Sequence, residues 1–282
     1  MSKRQSSFIF FLSLVISGTI FIQMALYVLS MLAGWNVKFN IVVVCHSWLK
    51  GIGLSSLEYA LDALVLYTLL LTIWQIGSQF FYSSRLKRHF ERYKDNLLTN
   101  NMNQTHSSGE KDIIIVSNPA PIAITMGFVK PQIVISTGLI SILTDDELKA
   151  VISHEMYHKN NRDPLKIFIL SLCGSTIGYI PILKWFNHQY RIIKEVLADE
   201  FAISKQETSV NLGSALLKML KVGKQEKMPF AYASFADTSV NYRIEYILDP
   251  LKDVRWQVPL KKAFLSLAIF VLICAFFIYA LA

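Results

Sequence analysis

Leu143–His158 reads LTDDELKAVISHEMYH, and its last five residues, His154-Glu155-Met156-Tyr157-His158, decide how the chain is read. On a helix, residues i and i+4 share a face, so both imidazoles can reach one ion. Zinc takes nitrogen ligands readily, and a catalytic zinc site uses three protein ligands and keeps a position open for water. Glu155 then stands beside that water, placed to accept its proton. The helix is signalled at its start. Thr144 at the N-cap and Glu147 at N3 make a T-x-x-E capping box, and Leu148, Val151 and Ile152 supply an apolar face. The rival reading is two surface histidines meeting by chance; the cap, the helical pattern and a preceding strand weigh against it.

A third ligand is expected from a later helix. The stretch Gln189–Ser204 is helical in pattern and carries Glu195-Val196-Leu197-Ala198-Asp199, an E-x-x-A-D about 40 residues after the H-E-x-x-H. Glu195 would complete a two-histidine, one-carboxylate zinc site. Asp199, one turn on, could accept the second ring N–H of a ligating histidine and fix its tautomer. Alone, an acidic i,i+4 pair is ordinary on a solvated helix face, and only its partnership with the histidines favours the ligand reading.

The rest of the chain says where this chemistry sits. Apolar residues make up 53% of the 282 residues, charged residues only 17%, and mean hydropathy is +0.39. An ordinary soluble domain has about 25% charged residues. A disordered chain is excluded, and a purely soluble one is disfavoured. Phe8–Leu32 is a nearly unbroken uncharged run, long enough for a span of about 20 residues. A second run covers Ala63–Tyr82 and a third Ala263–Ala282. Lys3/Arg4, the cluster Arg85–Arg92 and Lys261/Lys262 place the N-terminus and the middle of the chain in the cytosol, and the C-terminus and the loop Ala33–Asp62 outside. The net charge of +8 is thus a topology signal. No basic stripe with interleaved aromatics suggests nucleic-acid binding. The cysteines, Cys45, Cys173 and Cys274, lack motif spacing and read as buried apolar thiols. In the intervening region, Ile113–Val116 and Gln132–Ser136 read as strands. The Asn/Ser/Thr-rich stretch Asn96–Gly109 reads as a loop, and Asn118–Pro121 as a turn.

Zinc imposes a parity condition on the apolar run Ile167–Phe186. If that run crossed the membrane once, Glu195 would lie opposite the histidines. It must dip in and return, lie at the interface, or pack as an apolar wall. Gly174, Gly178 and Pro181 suit a broken, re-entrant path, and the strand Gln132–Ser136 could pair with an extended substrate or be an ordinary buried strand.

Several blocks together carry a resemblance: GFVKPQIVIS at Gly127–Ser136, the H-E-x-x-H segment, RDPL at Arg162–Leu165, PILKWFN at Pro181–Asn187 and the E-x-x-A-D. In this order they resemble the BlaR/MecR-type regulatory membrane zinc metallopeptidases. The resemblance implies zinc ligands at His154, His158 and Glu195, a general base at Glu155, and Asp199 beside the ligands. Tyr242-Arg243-Ile244 is similar to an R-I element late in such domains. Arg243 there could pair with Asp199 or steady the tetrahedral intermediate, or be a surface arginine on an amphipathic helix. The heat-shock and CAAX-prenyl membrane proteases share both motifs but normally carry two spans between them. The chain ends at Ala282, which leaves the penicillin-binding sensor domain of β-lactam receptors without room.

The expected protein is therefore a mainly α membrane protein with about three transmembrane helices and one re-entrant or interfacial segment. Residues 1–84 form a transmembrane hairpin, 85–260 a cytosol-facing α+β, gluzincin-like zinc protease domain with the embedded segment 167–186, and 261–282 the last span. It is expected to be multi-pass in the cell membrane, with N-terminus and active site cytosolic. The resemblance implies hydrolysis of a protein or peptide, a transcriptional repressor or the protease itself. The rivals are a quality-control or processing protease, and a non-catalytic metal-binding signalling scaffold. The implied partners are one Zn2+, the lipid bilayer and the protein substrate, with no nucleic acid.

Overall fold

The computed structural model describes residues 3–33, 47, 51, 58–106, 112–222, 233–234, 240–248 and 258–281. Most of the loop Ala33–Asp62, with Cys45, lies outside them. The chain packs as two units. One comprises Met1–Phe8, Gln79–Ile169 and His188–Arg255; the other comprises Ile9–Ser78, Leu170–Asn187 and Trp256–Ala282.

The first unit is built on a small sheet. Strands β1 (Ile113–Val116), β2 (Ala123–Met126), β3 (Gln132–Ser136) and β4 (Ala233–Ser234) lie in the order β1-β3-β2-β4. β1 runs parallel to β3, and β2 runs antiparallel to β3 and to β4. Side chains alternate between faces along a strand, and here both faces are covered. Ile113, Ile115, Ala123, Ile133 and Ile135 pack with Leu148, Val151 and Ile152 in one cluster. Ile114, Val116, Ile122, Ile124, Met126 and Val134 pack with Phe90 in another. Each such fully buried aliphatic side chain stabilises the fold by about 1.5–3 kcal/mol. Because β3 is central, with neighbours on both edges, it cannot accept a substrate strand, and of the two readings of Gln132–Ser136 the buried strand holds. The β2–β3 hairpin turns at Gly127, whose φ of +105° and whose 2.9 Å approach of a built Cβ to the Lys130 carbonyl leave room for glycine alone.

The helices of this unit begin with α3 (Asn96–His106), where the sequence suggested a loop. Asp95 caps it, accepting from Leu98 N at 3.0 Å. Asn103, which reads as a loop former, instead bonds the β1 edge through Ile113 N and O at 3.0 and 2.8 Å. After β3 comes the short α4 (Thr137–Ile142). Then α5 (Asp145–Asn160) carries the H-E-x-x-H, with the capping box at Thr144 and Glu147 formed in both directions. Its first turn is held from α8 (Val210–Val222): Ser214 and Lys218 reach Glu147 at 2.6 and 2.7 Å. The chain leaves α5 through Arg162 in the left-handed region, φ 51°, and enters α6 (Asp163–Thr176).

The apolar run 167–186 is not one helix. α6 ends at Thr176, a turn follows, and α7 (Pro181–Gln206) starts on a proline, whose missing N–H costs nothing in the first helical turn. Ser171 and Asn187 hydrogen-bond across the hairpin, and a Cβ built on Gly174 would lie 3.5 Å from Lys184 Cα. This tip, Leu170–Asn187, belongs to the second unit together with most of α1 (Lys3–Ala33), part of α2 (Glu58–Arg92) and α10 (Leu260–Leu281). There Ser175 donates to Gln75 at 2.7 Å, Ile182 N donates to Ser266 at 3.1 Å, and Tyr179 packs on Met24 and Val65. Among the described residues one helix, α1 over Lys3–Leu26, is long and apolar enough to cross a membrane. The run 63–82 lies within α2, and the run 263–282 lies within α10 as far as residue 281, residue 282 falling outside the described residues.

Candidate metal centre

Helical spacing puts His154 and His158 on one face of α5, and α7 brings Glu195 to meet them. One ligand atom from each lies within 4.8 Å of the other two. The two Nε2 atoms are 3.2 Å apart, and Glu195 Oε2 and Oε1 are each 3.5 Å from one of them. Three ligands bonded at about 2.0–2.1 Å to a tetrahedral ion would show edges of roughly 3.3 Å. The spacing and the nitrogen–oxygen donor set therefore fit zinc.

The far side of each imidazole meets a carboxylate. His154 Nδ1 is 2.8 Å from Asp199 Oδ1, and His158 Nδ1 is 2.9 Å from Asp163 Oδ2. Each contact sets the tautomer that leaves Nε2 free to ligate. Each carboxylate in turn meets a cation. Arg243, on α9 (Val240–Leu248), grips Asp199 with a two-pronged fork, Nε at 2.8 Å and Nη2 at 2.6 Å, and places Nη1 3.3 Å from Glu195. Lys194 Nζ lies 3.0 Å from Asp163 and over the rings of Tyr157 and Tyr190, 5.4 and 5.5 Å from their centroids. Arg243 is fully buried, so the surface-arginine alternative is ruled out.

Glu155 points toward the sheet. Thr125 on β2 donates to its Oε2 at 2.6 Å and lies 3.0 Å from its main-chain oxygen. Its Oε1 is buried without a hydrogen-bond partner. Burial raises the Glu155 pKa above the usual carboxylate range, against the pull of both histidines and Thr125. Glu195 and Asp199 go the other way. Burial alone would raise them, but His154, His158 and Arg243 hold Glu195 below its ordinary value, and Arg243 and His154 do the same for Asp199. Burial and Arg243 oppose a charged His154, yet its bonds to Asp199 and Glu195 overcome both and lift its pKa to about 9. Four buried carboxylates, Glu155, Asp163, Glu195 and Asp199, thus meet two fixed cations, Lys194 and Arg243. A divalent ion would add positive charge to this acid-rich centre.

A family model described as BlaR1 peptidase M56 matches residues 46–247, more than half of the chain. The chain belongs to the M56 peptidase family. Among curated relatives, the regulatory protein BlaR1 of Bacillus licheniformis is 25% identical over 118 residues, 41% of this chain and 19% of that protein. A protease HtpX homolog of Tropheryma whipplei (strain Twist) is 32% identical over 155 residues, 51% of this chain and 52% of that protein. A protease HtpX homolog of Methanopyrus kandleri is 34% identical over 61 residues, 22% of this chain. The matched stretches span about half or less of these relatives.

All six residues singled out in this M56 chain, His154, Glu155, His158, Glu195, Asp199 and Arg243, converge on one centre. Three further residues at the centre, Asp163, Lys194 and Thr125, carry no role in the sequence reading. Asp163 had a cue, a carboxylate just past the end of the helix that bears His158, whose Nδ1 needs an acceptor. Thr125 had none, because its neighbourhood exists only once β2 packs on α5.

Proposed function

We propose that this M56 chain is a membrane-anchored zinc endopeptidase. The observation that carries the reading is the His154, His158 and Glu195 donor trio, with Glu155 next to it in sequence and tethered by Thr125. A zinc ion held there would lower the pKa of a water to about 7 and polarise a peptide carbonyl. Glu155 takes the proton on its unpartnered Oε1, which its raised affinity for protons favours, and delivers it to the leaving amine. Asp199 and Asp163 hold the ring tautomers. Arg243 keeps Asp199 and Glu195 ionised.

β2, the strand that holds Thr125, is flanked by β3 on one side and by the two-residue β4 on the other. The chain's own Ala233 and Ser234 pair with Thr125 and Ile124 there. That pairing supports self-cleavage near residues 233–234 as one reaction of the site. A transcriptional repressor, implied by the resemblance to the BlaR/MecR group, is the second substrate. The alternative is a processing or quality-control protease, acting through the same chemistry, to which the likeness to HtpX homologs lends the word protease alone. For placement, α1 is the anchor, with α2 and α10 as the further spans. The α6–α7 hairpin returns Glu195 to the side of the histidines, and the basic clusters put that side in the cytosol.

The test compares the zinc-loaded full-length chain with Glu155→Gln in detergent. Fragments ending near residue 234 by mass spectrometry, or turnover of unfolded casein, are expected from the first and not from the second, at equal zinc content. Zinc bound equally with no cleavage by either would make the chain a metal-binding scaffold.

A further inference from the structure

Thr125 does more at this centre than fill space. Three observations single it out. It is fully buried on β2, on the strand face that looks to α5, since Ala123 two residues earlier packs in the α5-facing cluster. Its hydroxyl meets Glu155 twice, at 2.6 Å to Oε2 and 3.0 Å to the main-chain oxygen. Its main chain lies in the pairing register with Ala233 of β4.

The chemistry of the contact is asymmetric. A threonine hydroxyl has one proton to give, and 2.6 Å is the length of an O–H···O⁻ bond to an ionised carboxylate. Spending that proton on Oε2 satisfies one oxygen of Glu155 and fixes its rotamer. The other, Oε1, stays buried with no donor. One oxygen is anchored, and the other is the open proton acceptor.

We infer that Thr125 is the positioning residue of Glu155. The inference rests on the reading of Glu155 as the base. β3 and β4 hold β2 in register from both sides, and the side chain of Thr125 passes that fixed position to the carboxylate at 2.6 Å. Valine has the shape of threonine without the hydroxyl, and serine has the hydroxyl without the methyl, so the two variants separate packing from positioning.

The experiment uses the full-length zinc-loaded chain and dye-labelled casein. In Thr125→Val, kcat is expected to fall about 10- to 100-fold, less than the roughly 10²–10⁴-fold that a general base itself contributes, with KM changed less than about twofold. Zinc content stays at the wild-type level, and Thr125→Ser restores kcat to within about threefold. Independently of activity, the melting-temperature shifts of Thr125→Val and Glu155→Ala are expected to be non-additive, as for residues in contact. Unchanged kcat in Thr125→Val beside an inactive Glu155→Gln overturns this inference alone. So does a serine variant as impaired as the valine variant, or additive shifts. Full turnover in Glu155→Gln overturns the assignment of the base and the positioning role with it.

Discussion

Helix α5 carries two buried glutamates eight residues apart, and their surroundings drive them in opposite directions. Glu147, in the first turn, is saturated: Thr144 N, Ser214 and Lys218 all donate to it. Burial would raise its pKa, but those bonds bring it down to about 2. Glu155 has one side-chain donor, Thr125, a bare Oε1 and a pKa raised by burial. A carboxylate that holds structure together is given every partner it can take. One proposed to move protons is buried and left a partner short, which is the environment that separates acids from bases at a common pH.

The comparison is tested hardest by removing each charge. Glu155→Gln is expected to lower kcat by at least about 100-fold, with no loss in melting temperature, since no ion pair is broken. Steady-state proteolysis and a thermal melt read the two effects separately. Next in size is the contrast between the two histidine arms. Asp199→Asn and Asp163→Asn should each weaken zinc affinity about 10- to 100-fold in a chelator competition. Only Asp199→Asn should also cost about 3–5 kcal/mol of stability, because it strips a fully buried guanidinium of its fork. Lys194, by contrast, keeps the faces of Tyr157 and Tyr190 when Asp163 is neutralised. Equal destabilisation by the two variants would show that the arms are interchangeable.

How much of this was legible in the sequence follows the range of the interactions. The capping box, the i,i+4 histidines and the hairpin break at Pro181 are local, and all three appear where the pattern put them. Gly127 was visible only as part of the G-F-V-K-P block; its reason is the turn that joins β2 to β3. α3 was misread because Asn and Thr are poor helix formers in isolation. Asn103 and Thr99 are there for the β1 backbone they bond, at 3.0 Å to Ile113 N and to Ile115 N. Whether β3 was a docking edge or a buried strand stayed open, because alternation reveals a strand but not its position in a sheet. Thr125 and Lys194 were invisible for the same reason: their roles are defined by partners 30 or more residues away.

The smallest expected effect lies at the structural end of the comparison. Glu147→Gln keeps its one oxygen for Thr144 N and turns its amide N–H toward the Ser214 hydroxyl, but loses the charge that pairs with half-exposed Lys218, so stability should fall by about 1–2 kcal/mol. The pH dependence sharpens the point. The folded pKa of Glu147 is about 2, below its ordinary value of 4.5. Its contribution is therefore complete above pH 4.5 and is lost as pH falls toward 2, because the unfolded chain takes up the proton first. In Glu147→Gln that part of the acid transition disappears, and the melting temperature between pH 5 and pH 3 declines less steeply than in the wild type. Proteolysis at neutral pH is untouched, since Glu147 meets neither the ligand trio nor Glu155. A loss of kcat in Glu147→Gln at full zinc content would mean that the two ends of α5 are coupled, and that the division between a structural and a proton-carrying glutamate is drawn in the wrong place.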